Sequence, residues 1–92
     1  MVAHLKPVSI LGIGSALADT VVTNDDLSKL VDTNDEWIFS RTGIKERRKL
    51  GPRQQNSDLA TAAALSALKH AGLTPADIGQ IICATCSPDS IY

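Results

Sequence analysis

A chain of 92 residues bounds one small domain, and a core of that size is too shallow for a deep substrate tunnel. With 43% hydrophobic and 21% charged residues, the composition is that of a soluble globular segment and speaks against disorder. A net charge of -1 speaks against a general nucleic-acid binder, and no apolar run approaches the ~20 residues of a membrane span.

The opening M-V-A-H-L-K-P has no signal-peptide pattern, so a cytoplasmic location is expected. Val8 to Leu17 is an apolar run with β-branched residues and small breaks, which predicts a buried first strand. Gly12-Ile13-Gly14 suggests a dinucleotide fingerprint, but the third glycine of that pattern would fall at Leu17 and no helix follows at once. Close packing of the strand against a helix is the better account of both glycines.

Thr23-Asn24 starts a short helix to about Val31, with Asp25 and Asp26 in the first turn where the helix dipole favours anions. Leu27, Leu30 and Val31 give it one apolar packing face. Thr33 and Glu36 form a capping box, so a second helix starts at about Asn34. Fours counted from Thr33 reach Trp37 and Arg41, placing a hydroxyl, an indole and a guanidinium on one face over roughly 12 Å. Thr42-Gly43 stops this helix with a left-handed cap, and Ile44 to Leu50 continues as an extended basic segment. Six of ten acids fall between Asp19 and Glu36 and six of nine bases between Arg41 and Arg53, so the near-zero net charge conceals a sorted distribution. The basic run reads first as a solvated hairpin face. Its alternative is a set of bases facing an anionic ligand or an acidic carrier protein.

Ser57 is expected to cap the longest helix, which runs to about Ala71 and ends at Gly72. It is apolar on most of its circumference, so burial on more than one side is expected, with Ala60, Ala63, Ala64 and Ala67 letting another helix come close. His70, near its C-terminus, suits a cation at the dipole's negative end. Thr74-Pro75-Ala76-Asp77 starts a further turn that Gly79 ends, and Gln80 to Thr85 reads as a second buried strand. Strand, crossover helix and strand make one right-handed βαβ unit. Such a unit needs partners on both sheet faces and along an edge, which predicts an N-terminal piece of a larger protein with no boundary inside residues 1–92.

Two motifs carry candidate chemistry. Trp37 offers a flat face to a purine, Thr33 a hydrogen bond to the base, and Arg41 a planar fork to phosphate. Spacing alone leaves open the alternative that Trp37 fills a gap under the hairpin while Arg41 pairs with Asp35 or Glu36. The C-A-T-C of Cys83 and Cys86 suggests a redox pair, but no helix begins where a stabilised thiolate needs one. One buried and one strand-end cysteine are expected instead. Two cysteines are too few for a closed zinc site, and His4 and His70 lie far away in sequence, so no metal site is expected.

T-N-D-D-L ahead of V-D-T-N-D-E-W-I-F-S-R-T-G-I-K-E-R-R closely resembles the N-terminal part of the β-ketoacyl-acyl-carrier-protein synthase III family. The likeness runs from about Val8 to Tyr92. It implies a thiolase-like α/β fold of five layers, of which this chain is the N-terminal βαβ portion. It also implies the first condensation of type II fatty acid synthesis, in which acyl-CoA and malonyl-acyl carrier protein combine with decarboxylation in a homodimer. Coenzyme A enters as part of a thioester substrate; no cofactor, membrane or nucleic acid is implied.

At the matching positions the family's Trp stacks on the adenine of coenzyme A with its Thr and Arg beside it, which makes Thr33, Trp37 and Arg41 the expected substrate-binding residues. Tyr92 matches a position lining the acyl pocket of the partner subunit, where a bulky aromatic favours short primers such as acetyl. The family's catalytic Cys, His and Asn lie beyond Tyr92, so no catalytic residue is expected here and the chain alone is expected to be inactive. Family members usually carry a Pro after the first strand, where Ala18-Asp19 stands here. A synthase-III-like enzyme of secondary metabolism, a stand-alone module for coenzyme A or an adenine nucleotide, and a dithiol redox protein are the alternatives.

Overall fold

A computed structural model describes residues 6–89. β-Branched Val21 and Val22 sit in strand β1, Thr20–Thr23, which pairs antiparallel with β2, Glu46–Lys49, from Thr20 opposite Lys49 to Thr23 opposite Glu46. Helices α1, Asn24–Ser28, and α2, Asp35–Thr42, fill the connection between the two strands. Helix α3, Asn56–Ala71, follows, and a single 3-10 turn spans Pro75–Asp77.

Local chemistry accounts for the helix ends. Thr23 Oγ1 accepts the Asp26 N–H at 3.1 Å while the Asp26 carboxylate accepts the Thr23 N–H at 2.9 Å, a complete capping box for α1. α1 ends at Ser28, short of the expected Val31, and Leu30 and Val31 are exposed instead of forming a packing face. Gly43 closes α2 at φ 68° and Gly72 closes α3 at φ 71°, both in the left-handed region as expected.

Two caps differ from expectation. α2 is capped by Asn34, not Thr33, because the Asn34 Oδ1 reaches the Trp37 N–H at 2.8 Å. α3 starts at Asn56 after Gln55, whose N–H is accepted by the Asp58 carboxylate at 2.8 Å. Ser57 is therefore inside the helix, and its N–H is accepted by Asp89 Oδ1 at 3.1 Å. The Pro75 turn likewise closes at Ile78 instead of Gly79.

The two expected buried strands form no ladder among the described residues. Val8 is 94% exposed and Ile81 83%, and β1 and β2 make up the sheet of the described residues. The reason is physical: an extended segment becomes a strand only where a neighbour supplies hydrogen-bond partners, and neither segment has one here. For the same reason no residue of α3 is buried, contrary to the expectation of burial on more than one side.

What does approach α3 is backbone. A side chain at Gly12 would come within 2.6 Å of the Ala67 carbonyl, and one at Gly14 within 2.5 Å of the Ala63 carbonyl. The glycines thus serve close packing, and the alanines of α3 admit an extended segment where a second helix was expected. His70 reinforces this contact. Its Nδ1 accepts the Ile13 N–H at 3.1 Å, tying the C-terminal end of α3 to the extended segment. The Ala18-Asp19 departure is also accommodated, with Ala18 buried and the Asp19 N–H donating to Gln54 Oε1 at 3.4 Å.

Candidate functional site

The N-terminal end of α2 builds the site. Asn34 takes the cap, so the Thr33 hydroxyl just before it is left free; its oxygen is buried and has no hydrogen-bond partner. Trp37, one turn on, is 53% exposed. One further turn brings the Arg41 guanidinium over the indole, 4.7 Å from the ring centroid. Asp32, Thr33, Asn34 and Trp37 enclose a recess of about 160 Å³.

The structure therefore brings Thr33 and Arg41 each beside Trp37, the first across the recess and the second over the ring. Arg41 stacks on Trp37, which holds its cation against the ring. The recess itself lies at a helix N-terminus, where backbone amides favour electron-rich atoms. Asp32, Asp35 and Glu36 offset that preference. A ligand that places a neutral aromatic base against the indole and its anionic groups outward, toward Arg41, suits this distribution.

Bonded to the first residue of α2 is a side chain that sequence reasoning missed. Asn24 is 1% exposed; its Nδ2 donates to Asp35 Oδ1 at 2.7 Å and to the Ile44 carbonyl at 2.8 Å, and its Oδ1 accepts from Arg47 Nη2 at 2.7 Å. Nothing in the T-N-D-D pattern distinguishes such an asparagine from an ordinary first-turn residue. Arg47 also donates to the Val22 carbonyl and Arg48 to the Ala18 carbonyl, so two bases of the basic run hold the β1–β2 region together.

Cys83 and Cys86 are free and both exposed, against the expectation of one buried thiol, because the segment that carries them has no sheet around it. Cys83 borders a second recess of about 310 Å³ with Asn56, Ser57 and Asp89. Asn56 Nδ2 donates there to Thr85 Oγ1 and the Ser87 carbonyl, and the Ser57 hydrogen bonds hold the Asp89 carboxyl below its ordinary range. Among the described residues no cluster of three metal-ligating side chains occurs, and no helix is long and apolar enough to cross a membrane. Tyr92, expected at an acyl pocket, and His4 lie outside the described residues.

No family model matches the chain. Among solved structures, 3-oxoacyl-[acyl-carrier-protein] synthase III from Aquifex aeolicus superposes on 90% of the chain with a TM-score of 0.83 and 47% identity. The priming β-ketosynthase of the R1128 polyketide pathway superposes on 75% of the chain with a TM-score of 0.72 and 39% identity. The class so defined is thiolase-like α/β, and the chain is an incomplete portion of that fold.

More particularly, the chain matches an N-terminal part of β-ketoacyl-[acyl-carrier-protein] synthase III. It is 52% identical over 85 residues to the enzyme of Symbiobacterium thermophilum and 58% identical over 80 residues to that of Caldanaerobacter subterraneus. Those matches cover 92% and 87% of this chain but 26% and 24% of the relatives, so the chain spans about a quarter of their length.

Proposed function

We propose that this chain is the N-terminal segment of a β-ketoacyl-acyl-carrier-protein synthase III and supplies its surface for the adenine end of coenzyme A. The observation that carries the binding role is the grouping around a half-exposed Trp37 of Thr33, which lines the recess with it and has an unpartnered hydroxyl, and of Arg41, which stacks on its ring. The indole takes the adenine, the Thr33 hydroxyl bonds to the base, and Arg41 faces phosphate. Identity of 52% and 58% to synthase III enzymes supports the wider reading.

In the complete enzyme the reaction divides into two transfers. A cysteine thiolate attacks the acyl-CoA carbonyl, forming an acyl-enzyme thioester and releasing coenzyme A, with backbone amides holding the oxyanion. Malonyl-acyl carrier protein then loses carbon dioxide, and the resulting carbanion attacks the acyl-enzyme carbonyl. A carbon–carbon bond forms, the carbon–sulfur bond to cysteine breaks, and β-ketoacyl-acyl carrier protein leaves with the thiolate restored. His and Asn assist the decarboxylation. The complete enzyme works as a cytoplasmic homodimer, and residues 1–92 alone are inactive in condensation.

Trp37→Ala in the complete enzyme tests the reading: coenzyme A binding by calorimetry should weaken about 5- to 150-fold, since stacking on an aromatic contributes about 1–3 kcal/mol per base. An unchanged dissociation constant overturns it. The likeness to the R1128 priming β-ketosynthase favours, as second reading, a synthase of secondary metabolism with a different acyl donor or acceptor. Comparing turnover of acetyl-CoA and longer acyl-CoA primers with malonyl-acyl carrier protein separates the two.

A further inference from the structure

We propose that Asn24, Asp35 and Arg47 form a positioning network that sets where α2 begins and so holds Thr33 and Trp37 in register for the adenine end of coenzyme A; this rests on the binding role proposed above. Asn24 is the largest fully buried side chain among the described residues, and it is polar. Both protons of its amide are donated, to Asp35 Oδ1 and the Ile44 carbonyl, and its oxygen accepts from Arg47. Its backbone N–H donates to the Lys45 carbonyl at 3.1 Å.

The partners explain why position follows. Asp35 is the first residue of α2, and Ile44 lies just past the Gly43 that ends it, so one amide grips both the start of the helix and the chain leaving it. Thr33 lies two residues before Asp35 and Trp37 two after. An eight-residue helix moves as a rigid unit, so a shift or rotation at Asp35 moves the indole with it, and it moves the indole relative to the Thr33 hydroxyl on the chain entering the helix.

The electrostatics run in one direction. Arg47, oriented by its second bond to the Val22 carbonyl, places a cation at the amide oxygen, while Asp35 places an anion at the amide nitrogen. Each charge polarises the amide so as to strengthen the bond to the other. Leucine offers neither bond, and aspartate at position 24 sets a second carboxylate against Asp35.

The test uses the complete enzyme with Asn24→Ala, Asp35→Ala, the exchange Asn24→Asp with Asp35→Asn, and Trp37→Ala as reference. Coenzyme A affinity is read by calorimetry, and KM for acyl-CoA is read separately from kcat. Asn24→Ala and Asp35→Ala should raise Kd and KM about 5- to 20-fold with kcat within about twofold. The exchange restores the bond between positions 24 and 35 with donor and acceptor reversed but leaves the Ile44 carbonyl without its donor, so it should recover part of the affinity lost in Asp35→Ala, which a purely structural role does not require. Should Asn24→Ala fail to fold, Asp35→Ala, at an exposed position, carries the test. Unchanged affinity in both single variants beside a weakened Trp37→Ala overturns the positioning role and leaves the binding role standing. Unchanged affinity in all three overturns both.

Discussion

Asn34 caps the helix whose first turn carries Trp37: the Asn34 Oδ1 accepts the Trp37 N–H at 2.8 Å, and the neighbouring Thr33 hydroxyl is buried without a partner. In the binding role proposed for Thr33, capping and ligand binding fall to different residues. A cap side chain is worth about 1 kcal/mol, so Asn34→Ala should lower unfolding free energy by about that amount. Thr33→Val keeps shape and removes a hydroxyl that bonds to nothing here, so stability should hold or rise slightly while coenzyme A affinity falls. Urea unfolding and calorimetry on both variants check this. A loss of about 1 kcal/mol in Thr33→Val would mean that Thr33 is a cap after all.

Arg41 stacked on Trp37 predicts a dependence on the ligand's phosphates. Arg41→Gln should weaken coenzyme A binding about 3- to 10-fold at low salt and flatten its salt dependence, because a screened ion pair has been lost. Adenosine, which has no phosphate, should bind both proteins alike. Equal losses for adenosine and coenzyme A would assign Arg41 to holding the ring.

Gly14 is pressed against the α3 backbone at Ala63 and Ala67. Backbone cannot move aside as a flexible side chain can, so Gly14→Ala should destabilise by about 1–3 kcal/mol, as overpacking does. Gly51, with nothing near its Cβ position, serves as control: Gly51→Ala should change stability by less than about 1 kcal/mol. Thermal melts of the two variants compare them directly.

The pH dependence of stability follows from two carboxylates. Hydrogen bonds from the backbone and then the side chain of Thr23 lower the Asp26 pKa, and those from the side chain and then the backbone of Ser57 lower the Asp89 pKa. A depressed folded pKa contributes stability that is fully present above the unfolded value of about 3.9 and is lost as pH falls through the folded value. Asp26→Asn should therefore reduce the acid-side slope of stability below about pH 4 while changing little of the slope at neutral pH. An unaltered acid limb in this variant counts against the Thr23–Asp26 capping box as its source.

Much of the local structure was legible because it depends on neighbours in sequence. Thr23 with Asp26, Gly43 and Gly72 at helix ends, and the extended basic run of β2 all follow from caps, left-handed backbone and charge within a few residues. Spacing in fours placed Trp37 and Arg41 one turn apart on α2 for the same reason. Competition between adjacent candidates was not legible. Thr33 and Asn34 can each cap a helix, and only the actual backbone path puts the Asn34 oxygen on the Trp37 amide.

Contacts between distant segments were decided in three dimensions. Asn24 and Arg47 meet across 23 residues and Ile13 and His70 across 57, and no periodicity records either pairing. Val8 to Leu17 and Gln80 to Thr85 read as strands because their composition suits burial, yet strand formation depends on an available neighbour. The sequence by itself determined where the three helices lie, the glycine stops of two of them and the neighbouring turns of Trp37 and Arg41, since these are set by interactions within a turn or two. Tertiary structure alone decided which polar side chain would be buried and fully bonded, because that depends on where three separate backbone segments converge: that of Asn24 itself, the start of α2 at Asp35, and Ile44 to Arg47.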